Sequence, residues 1–381
     1  MGSLLVLLII LGCAAYLYLK GTLVKSFAMV IVSICASVVA FGYFELSANF
    51  LIGRKILVPW AYPLSFILLF VLAFAILQTI AGQLTLKPVD LGVLPERIGR
   101  VVFGILLGLM VSGILLTTVA MAPISPKYPY QRFGEANPDS ENPSKVLPSA
   151  DGFVTGWFNI ISSGSFSGKR SFAAMHPDFI DQLFLNRLDI NNKVSLITVS
   201  DAIEIPKIAV WPVPEGLKDS EGNPVQPKSG YSLTIIRVGM VAYAIQVFTP
   251  SQLRVICTQV SDDGDSLAGK GENIFPIGYM NTTDELRTRK LADHIDIKKS
   301  DIAGRMKEVD FVFHVPDGFK PVLVEYKQNC VRQIPPSAVV SAEQAPPIVP
   351  FEKQAEPVKV ITEPNNPVEQ PNSPPLPDAN K

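Results

Sequence analysis

Four long apolar runs, Leu4 to Leu19, Ser26 to Tyr43, Trp60 to Ile80 and Val101 to Ala122, fill the first 123 residues of this 381-residue chain, and none follows. Each approaches the roughly 20 residues that a helix needs to cross about 30 Å of hydrocarbon, where lipid offers no partner to unpaired backbone groups. No Lys or Arg precedes the first run, and the second begins almost at once. The first run therefore reads as a spanning helix and not as a cleaved leader.

Charge placement orients the bundle. Lys20 and Lys25 follow the first run, Lys87, Arg97 and Arg100 precede the fourth, and Arg54 and Lys55 lie between the second and third. The first and third connections are the better cytoplasmic candidates, which places both termini outside. Lys20, Lys25, Arg97 and Arg100 are then membrane-edge anchors and headgroup contacts, with the lipid bilayer as the first partner. The bundle holds seven of the 33 basic and three of the 34 acidic side chains, leaving 26 and 31 beyond it. That mildly acidic remainder carries no basic stripe, so nucleic acid is excluded as a partner class.

No ionisable group falls inside any of the four runs. Gln78 is the strongest intramembrane polar site, with Gln83, Ser33, Ser37 and Thr117 behind it, and a helix-to-helix hydrogen bond is its simplest role. Gly104, Gly108 and Ser112 recur every four residues on one face of the fourth run, with Gly113 beside them. Small residues at this spacing let a second helix approach the backbone, either within the chain or as a homo-oligomer face.

Four helices in about 125 residues, Lys20-Gly21 in a tight first turn, Leu94-Pro95-Glu96-Arg97 before the fourth helix and Phe103-Gly104-Ile105-Leu106-Leu107-Gly108 opening it resemble the CvpA (colicin V production protein) family. The resemblance covers the first third of the chain. It implies a multi-pass protein of the bacterial inner membrane linked to toxin production or export, with no established reaction. Two departures stand out: Ser3 is the only polar residue at the start of the first helix, where many members carry an acidic group, and the first glycine of the fourth-helix set falls at Gly99 with Arg100 intruding.

Composition changes after Pro123. Residues 124–150 are Pro-rich and read as an extended linker. Residues 151–334 read as a globular, β-rich extracytoplasmic domain. Phe153, Trp157, Phe158 and Ile161 recur at near-helical spacing, and Pro177 opens a second helix that buries Phe179, Ile180, Leu183 and Phe184. Strands are expected at 193–199, 205–211, 231–238, 241–248, 253–260, 309–315 and 321–327, the last two forming a hairpin through Pro316-Asp317-Gly318-Phe319-Lys320. A helix over 284–292, boxed by Thr282 and Glu285, interrupts them. The fold class expected is a four-helix membrane bundle followed by a sandwich-like α+β domain. Residues 335–381 hold 12 of the 32 prolines and read as a disordered tail.

Catalytic motifs are missing. The three histidines, His176, His294 and His314, are scattered, and His176 and His314 read as a helix-start or surface residue and an outward strand residue. Gly164-Ser165-Phe166-Ser167-Gly168 puts Phe166 where a nucleophile elbow needs Ser. Asp262, Asp263 and Asp265 lack the spacing of a calcium loop. No cofactor or metal site is expected. Cys257 and Cys330 fall in strands of an exported domain and form a disulfide if their Cα atoms come within about 7 Å. The composite reading is a non-enzymatic membrane protein that presents its β-rich domain to an envelope protein partner. A channel or transporter subunit and a membrane-tethered hydrolase are the rivals.

Overall fold

The computed structural model describes residues 2–351 apart from 86–91, 135–136, 165–169, 242, 260–266, 268–269, 298–301 and 303–304. Phe166, the three clustered aspartates, Lys87 and the tail beyond Phe351 lie outside the described residues. Four helices are long and apolar enough to cross a bilayer: α1 (Gly2–Lys20), α2 (Leu23–Gly53), α3 (Ala61–Leu84) and α4 (Val93–Met121). The chain is a multi-pass membrane protein.

Thr22 caps α2, its hydroxyl accepting from Lys25 N at 3.3 Å. On α2, Ala36, Ala40 and Ala48 are buried beside Phe41 and Phe44, so Phe66 of α3 reaches both rings at centroid distances of 4.9 and 5.8 Å. At 31 residues, α2 is about 46 Å long, well beyond one hydrocarbon thickness. It runs ten residues past the apolar run that predicts it and carries Glu45 in that extension.

α4 meets α1 through glycine. A Cβ on Gly104 would lie 2.5 Å from Ala14 Cα, and one on Gly108 2.5 Å from Ile10 Cα, so the two backbones touch where side chains are absent. Ser112 is fully buried, and its hydroxyl donates to Gly108 O of its own helix at 2.7 Å. Gly113 faces another element, the carbonyl of Ala150 and the side chain of Val154. The small-residue face is thus filled within one chain. Arg100 pairs with Glu96 and donates to the Tyr18 carbonyl at 3.4 Å, while Gly99 sits against the Leu23 side chain. Lys20 and Lys25 lie in and beside that turn, so all four anchors share one end of the bundle, with Lys20, Lys25 and Arg97 exposed. Gly2 lies at the other end against Pro129, Tyr130 and Val146.

The Pro-rich segment after α4 is not a free spacer. Its described residues form bends and turns without helix or strand, but Phe133 and Val146 are buried and Leu147 N donates to Ser3 Oγ at 3.1 Å. Three helices follow: α5 (Ala150–Ser163), α6 (Phe172–Met175) and α7 (Phe179–Asn186). α7 buries the expected Phe179, Ile180, Leu183 and Phe184. α5 is the helix expected from that spacing; Phe158 and Val154 are buried, whereas Phe153 and Trp157 are 38 % and 40 % exposed.

Among the described residues, thirteen strands complete the domain: β1 (Ile203–Glu204), β2 (Val210–Pro212), β3 (Lys218–Asp219), β4 (Tyr231–Val241), β5 (Val247–Phe248), β6 (Leu253–Gln259), β7 (Gly271–Ile274), β8 (Gly278–Met280), β9 (Glu285–Thr288), β10 (Ile295–Asp296), β11 (Met306–Pro316), β12 (Phe319–Tyr326) and β13 (Cys330–Gln333). A seven-stranded sheet built on β4 and β11 faces a four-stranded sheet ordered β13-β12-β6-β7. Val238, Phe311 and Phe313 from the first meet Val255, Val324 and Tyr326 from the second in the central core. This is the expected sandwich.

The expected hairpin of β11 with β12 does not form. β11 pairs antiparallel with β4 along eleven residues, Val309 opposite Val238, and β12 pairs with β6, Val324 opposite Val255. Asp317 and Gly318, the latter at φ 80°, carry the chain from one sheet to the other. Alternation tells which face a strand buries but not which strand it joins. The predicted helix over 284–292 is instead β9, because Leu286 is needed in a second core with Trp211, Met280 and Val312. Thr282 donates to Asp284 at 3.0 Å and caps nothing. Residues 193–199 are a loop, Pro206 separates β1 from β2, and of 241–248 only β5 and the end of β4 are strand.

Residues 335–351 are not tail but a strap across the outer face of the larger sheet. The Phe351 ring packs at a tilt against Tyr279, centroids 4.1 Å apart, and lies under Lys307 Nζ at 3.7 Å. Arg237 donates to the Pro347 carbonyl at 2.6 Å and forks onto Asp310 at 2.6 and 2.8 Å, and Val349 N donates to the same carboxylate at 2.8 Å. Asp310, on the face opposite the core residues Val309 and Phe311, is therefore fully buried.

Candidate functional site

The membrane bundle and the β-rich domain share one core. Phe41 of α2 stacks on Phe158 of α5 at 4.8 Å and meets Phe172 and Phe179 edge-on at 5.3 and 6.1 Å. Beside this aromatic cluster a line of polar groups crosses from α2 into the smaller sheet. Glu45 Oε1 lies 3.0 Å from His176 Nε2, and Tyr62 of α3 donates to the Gln328 carbonyl at 2.7 Å. His176 Nδ1 lies 3.2 Å from Gln182 Oε1, and Gln182 Nε2 donates to Glu325 at 2.6 Å. Arg254 donates to Glu325 at 2.5 Å and to the Met175 carbonyl at 3.0 Å, and also binds Asn273.

This geometry orients the Gln182 amide. Ionised Glu325 only accepts, so the amide NH2 of Gln182 must point to it and the amide oxygen to His176. His176 Nδ1 lies between that amide oxygen and Arg254 Nη2, 3.4 Å away, while Nε2 faces the Glu45 carboxylate. The imidazole is 5 % exposed and the Glu45 side chain 40 %, so the pair is reached from the Glu45 side.

Gln182 and Asn273 also line an open cleft of about 620 Å³. Its wall carries Asp139, Glu141, Asp178, Asp181 and Glu272 together with Lys228, Arg289 and Lys290, and Lys228 pairs with Glu141 at 2.7 Å. Burial and the neighbouring Asp181 push the Asp178 carboxyl up, against the pull of Arg132, which is itself paired to Asp181. Burial and Asp178 likewise raise Glu272. His314, on the strand face opposite the core residues Phe313 and Val315 as expected, lines the same cleft half-buried; burial, then Lys228, lowers its pKa. The cleft thus offers both charge signs on one concave surface.

No family model, curated protein or solved structure matches this chain.

The sequence-derived candidates fall elsewhere. Gly104, Gly108, Ser112 and Gly113 are packing positions in the bundle. Ser33, Ser37 and Thr117 donate to carbonyls of their own helices at 2.7 to 2.8 Å. Gln78 is half-buried in α3, and its Oε1 has no hydrogen-bond partner among the described residues. Cys257 and Cys330 are free thiols and are not placed to pair. Cys257 sits opposite Pro321 and Cys330 opposite Tyr326, on the two sides of β12. Two strand spacings, about 9.5 Å, and five residues of offset exceed the reach of a disulfide. Among the described residues no three His, Cys, Asp or Glu side chains gather to hold a metal.

Sequence reasoning missed the Glu45–His176–Gln182–Glu325–Arg254 line. One signal was present: Glu45 is the sole acidic residue before Asp90. A carboxylate just past an apolar run wants a partner, and only the fold shows that His176 supplies it.

Lys327 adds a measurable charge near this joint. It is 6 % exposed, sits at φ 57°, and burial pushes its ammonium down to about 8. An unfolded lysine titrates near 10.4, so the folded state binds fewer protons between about pH 8 and 10 and stability rises with pH across that window. Lys327→Met is expected to stabilise the protein by about 1–2 kcal/mol at pH 7 and to abolish that rise. Thermal unfolding at pH 7 and pH 10 reads both effects.

Proposed function

We propose that this protein is a non-enzymatic platform of the bacterial cytoplasmic membrane that holds its β-rich domain at the outer surface and captures an envelope protein segment in the Asp178–Lys228 cleft. The shared core between α2 and α5 to α7 carries the reading. A domain tied to the bundle by stacked aromatics and a buried polar line cannot swing away, so its cleft stays at fixed height over the lipid. Both charge signs in the cleft suit an extended polypeptide, which presents amide groups and side chains of either charge. The resemblance of residues 1–123 to the CvpA family makes toxin production or export the envelope traffic to examine first. The charge pattern of the connections supports an outside position for Gly2 and for the segment after α4, which meet at one end of the bundle.

The experiment places a photo-crosslinking residue at Tyr231, on the cleft, in intact cells. A discrete adduct with an envelope protein is expected, lost when Asp178 and Glu272 are both replaced by lysine, together with digestion of the domain by protease added to sealed spheroplasts. Protection of the domain until lysis would refute the outside placement, and an adduct indifferent to the two lysines would refute the cleft. One observation favours a channel subunit instead, the unpartnered Gln78 Oε1. Ion flux in proteoliposomes that disappears in Gln78→Leu would establish that reading.

A further inference from the structure

α5 is the least conventional element of the domain. From Gly152 to Ser163 it carries no charged residue, yet Phe153, Trp157 and Ile160 stand exposed at 38, 40 and 67 % along one stripe. A helix on the outside of a water-facing domain shows a polar face there. The opposite side of α5 is occupied: Ala150 and Val154 lie against Gly113 of α4, and Phe158 stacks on Phe41 of α2.

Those two contacts give its depth. Gly113 lies thirteen residues beyond Arg100, about 20 Å along α4. Phe41 lies sixteen residues beyond Lys25, about 24 Å along α2. Arg100 and Lys25 belong to the basic end of the bundle, so both routes place α5 short of the far side of a hydrocarbon slab about 30 Å thick. Gly2, eighteen residues from Lys20 and about 27 Å away, meets Tyr130 and Val146 near that far side. The exposed stripe of α5 is therefore continuous with the lipid-facing surface of the bundle.

We propose that α5 is embedded in the outer leaflet, with Phe153, Trp157 and Ile160 in contact with acyl chains and the lipid boundary. The domain then does not rest on the membrane but enters it, held there as interfacial aromatic helices are.

Trp157 is the reporter. The full chain is placed in nanodiscs at one copy per disc, made with phosphatidylcholine brominated either high on the acyl chain or near its methyl end, and its emission is compared with that of Trp157→Phe. The difference, which removes Trp60 and Trp211, is expected to fall by about half or more in brominated discs, with high bromines the more effective. Phe153→Trp added to Trp157→Phe is expected to restore the quenched component one turn away. A Trp157 component untouched by bromine and quenched by aqueous iodide would overturn the proposal. So would one shielded from both, the result of a second copy of this chain or another part of the domain covering the stripe. Trp157→Phe keeps an aromatic ring, and unchanged thermal unfolding verifies that the comparison is between folded proteins.

Discussion

Arg254→Met is expected to remove about a third of the stability of the β-rich domain. Arg254 is 2 % exposed and holds Glu325, itself 2 % exposed, at 2.5 Å, together with the Met175 carbonyl and Asn273. Without the guanidinium, Glu325 keeps only Gln182 and remains a buried charge facing no cation. Breaking such a pair from one side costs about 3–5 kcal/mol, against a total of about 5–15 for a typical domain. Replacing both partners by apolar residues leaves no orphaned charge, so Arg254→Met with Glu325→Leu is expected to recover most of the loss. Thermal unfolding of the full chain in detergent compares the three proteins. A single variant as stable as the parent would show that Arg254 and Glu325 are not buried as a pair. Because α6, α7 and Glu45 join the same line, the single variant is also expected to expose the segment around His176 to protease.

The second large effect is expected in the bundle. Gly108→Leu places a side chain where Ile10 Cα lies 2.5 Å from the ideal Cβ position, and Gly104→Leu does the same against Ala14. Backbone cannot yield as a flexible side chain can, so α1 must move off α4 along its length. Overpacking of this kind costs about 1–3 kcal/mol per site and sometimes more. The two substitutions share one interface, so the second adds less than the first. Ser112→Ala serves as the contrast: its hydroxyl bonds only carbonyls of its own helix, and a change under about 1 kcal/mol is expected. The readouts are thermal unfolding in detergent and particle mass. Loss of stability with no change in mass is the expected result, since the glycines face α1 and not a second copy. Halved mass with intact helix packing would make the stripe an oligomer face.

The sequence read alone settles what solvent each part of the chain can tolerate. Four apolar runs of near-membrane length have no soluble solution, and β-branched alternation at 309–315 and 253–260 has no helical one. Both became the elements expected, as did α7 behind Pro177. Patterning fails where a second layer arrives from far along the chain. Asp310 and Val312 look outward until the strap at 335–351 covers them, and Leu286 looks helical until Trp211 and Met280 claim it for a strand. Pro316 to Lys320 looks like a hairpin turn because local sequence cannot say that the two strands it joins have partners fifty and more residues away.

The candidate site was less legible than the fold for the same reason. Its members, Glu45, His176, Gln182, Arg254 and Glu325, are single residues spread over 281 positions, with no shared spacing to reveal them. By itself the sequence determined a membrane bundle, a β-rich domain and their order, because hydrophobic period and length act on each segment independently. Only the tertiary structure decided that bundle and domain are one body, that α5 lies level with the bundle helices, and that Cys257 and Cys330 stay apart. Those outcomes depend on which surfaces meet, and meeting is set by the whole chain's burial of apolar area and its pairing of every buried charge.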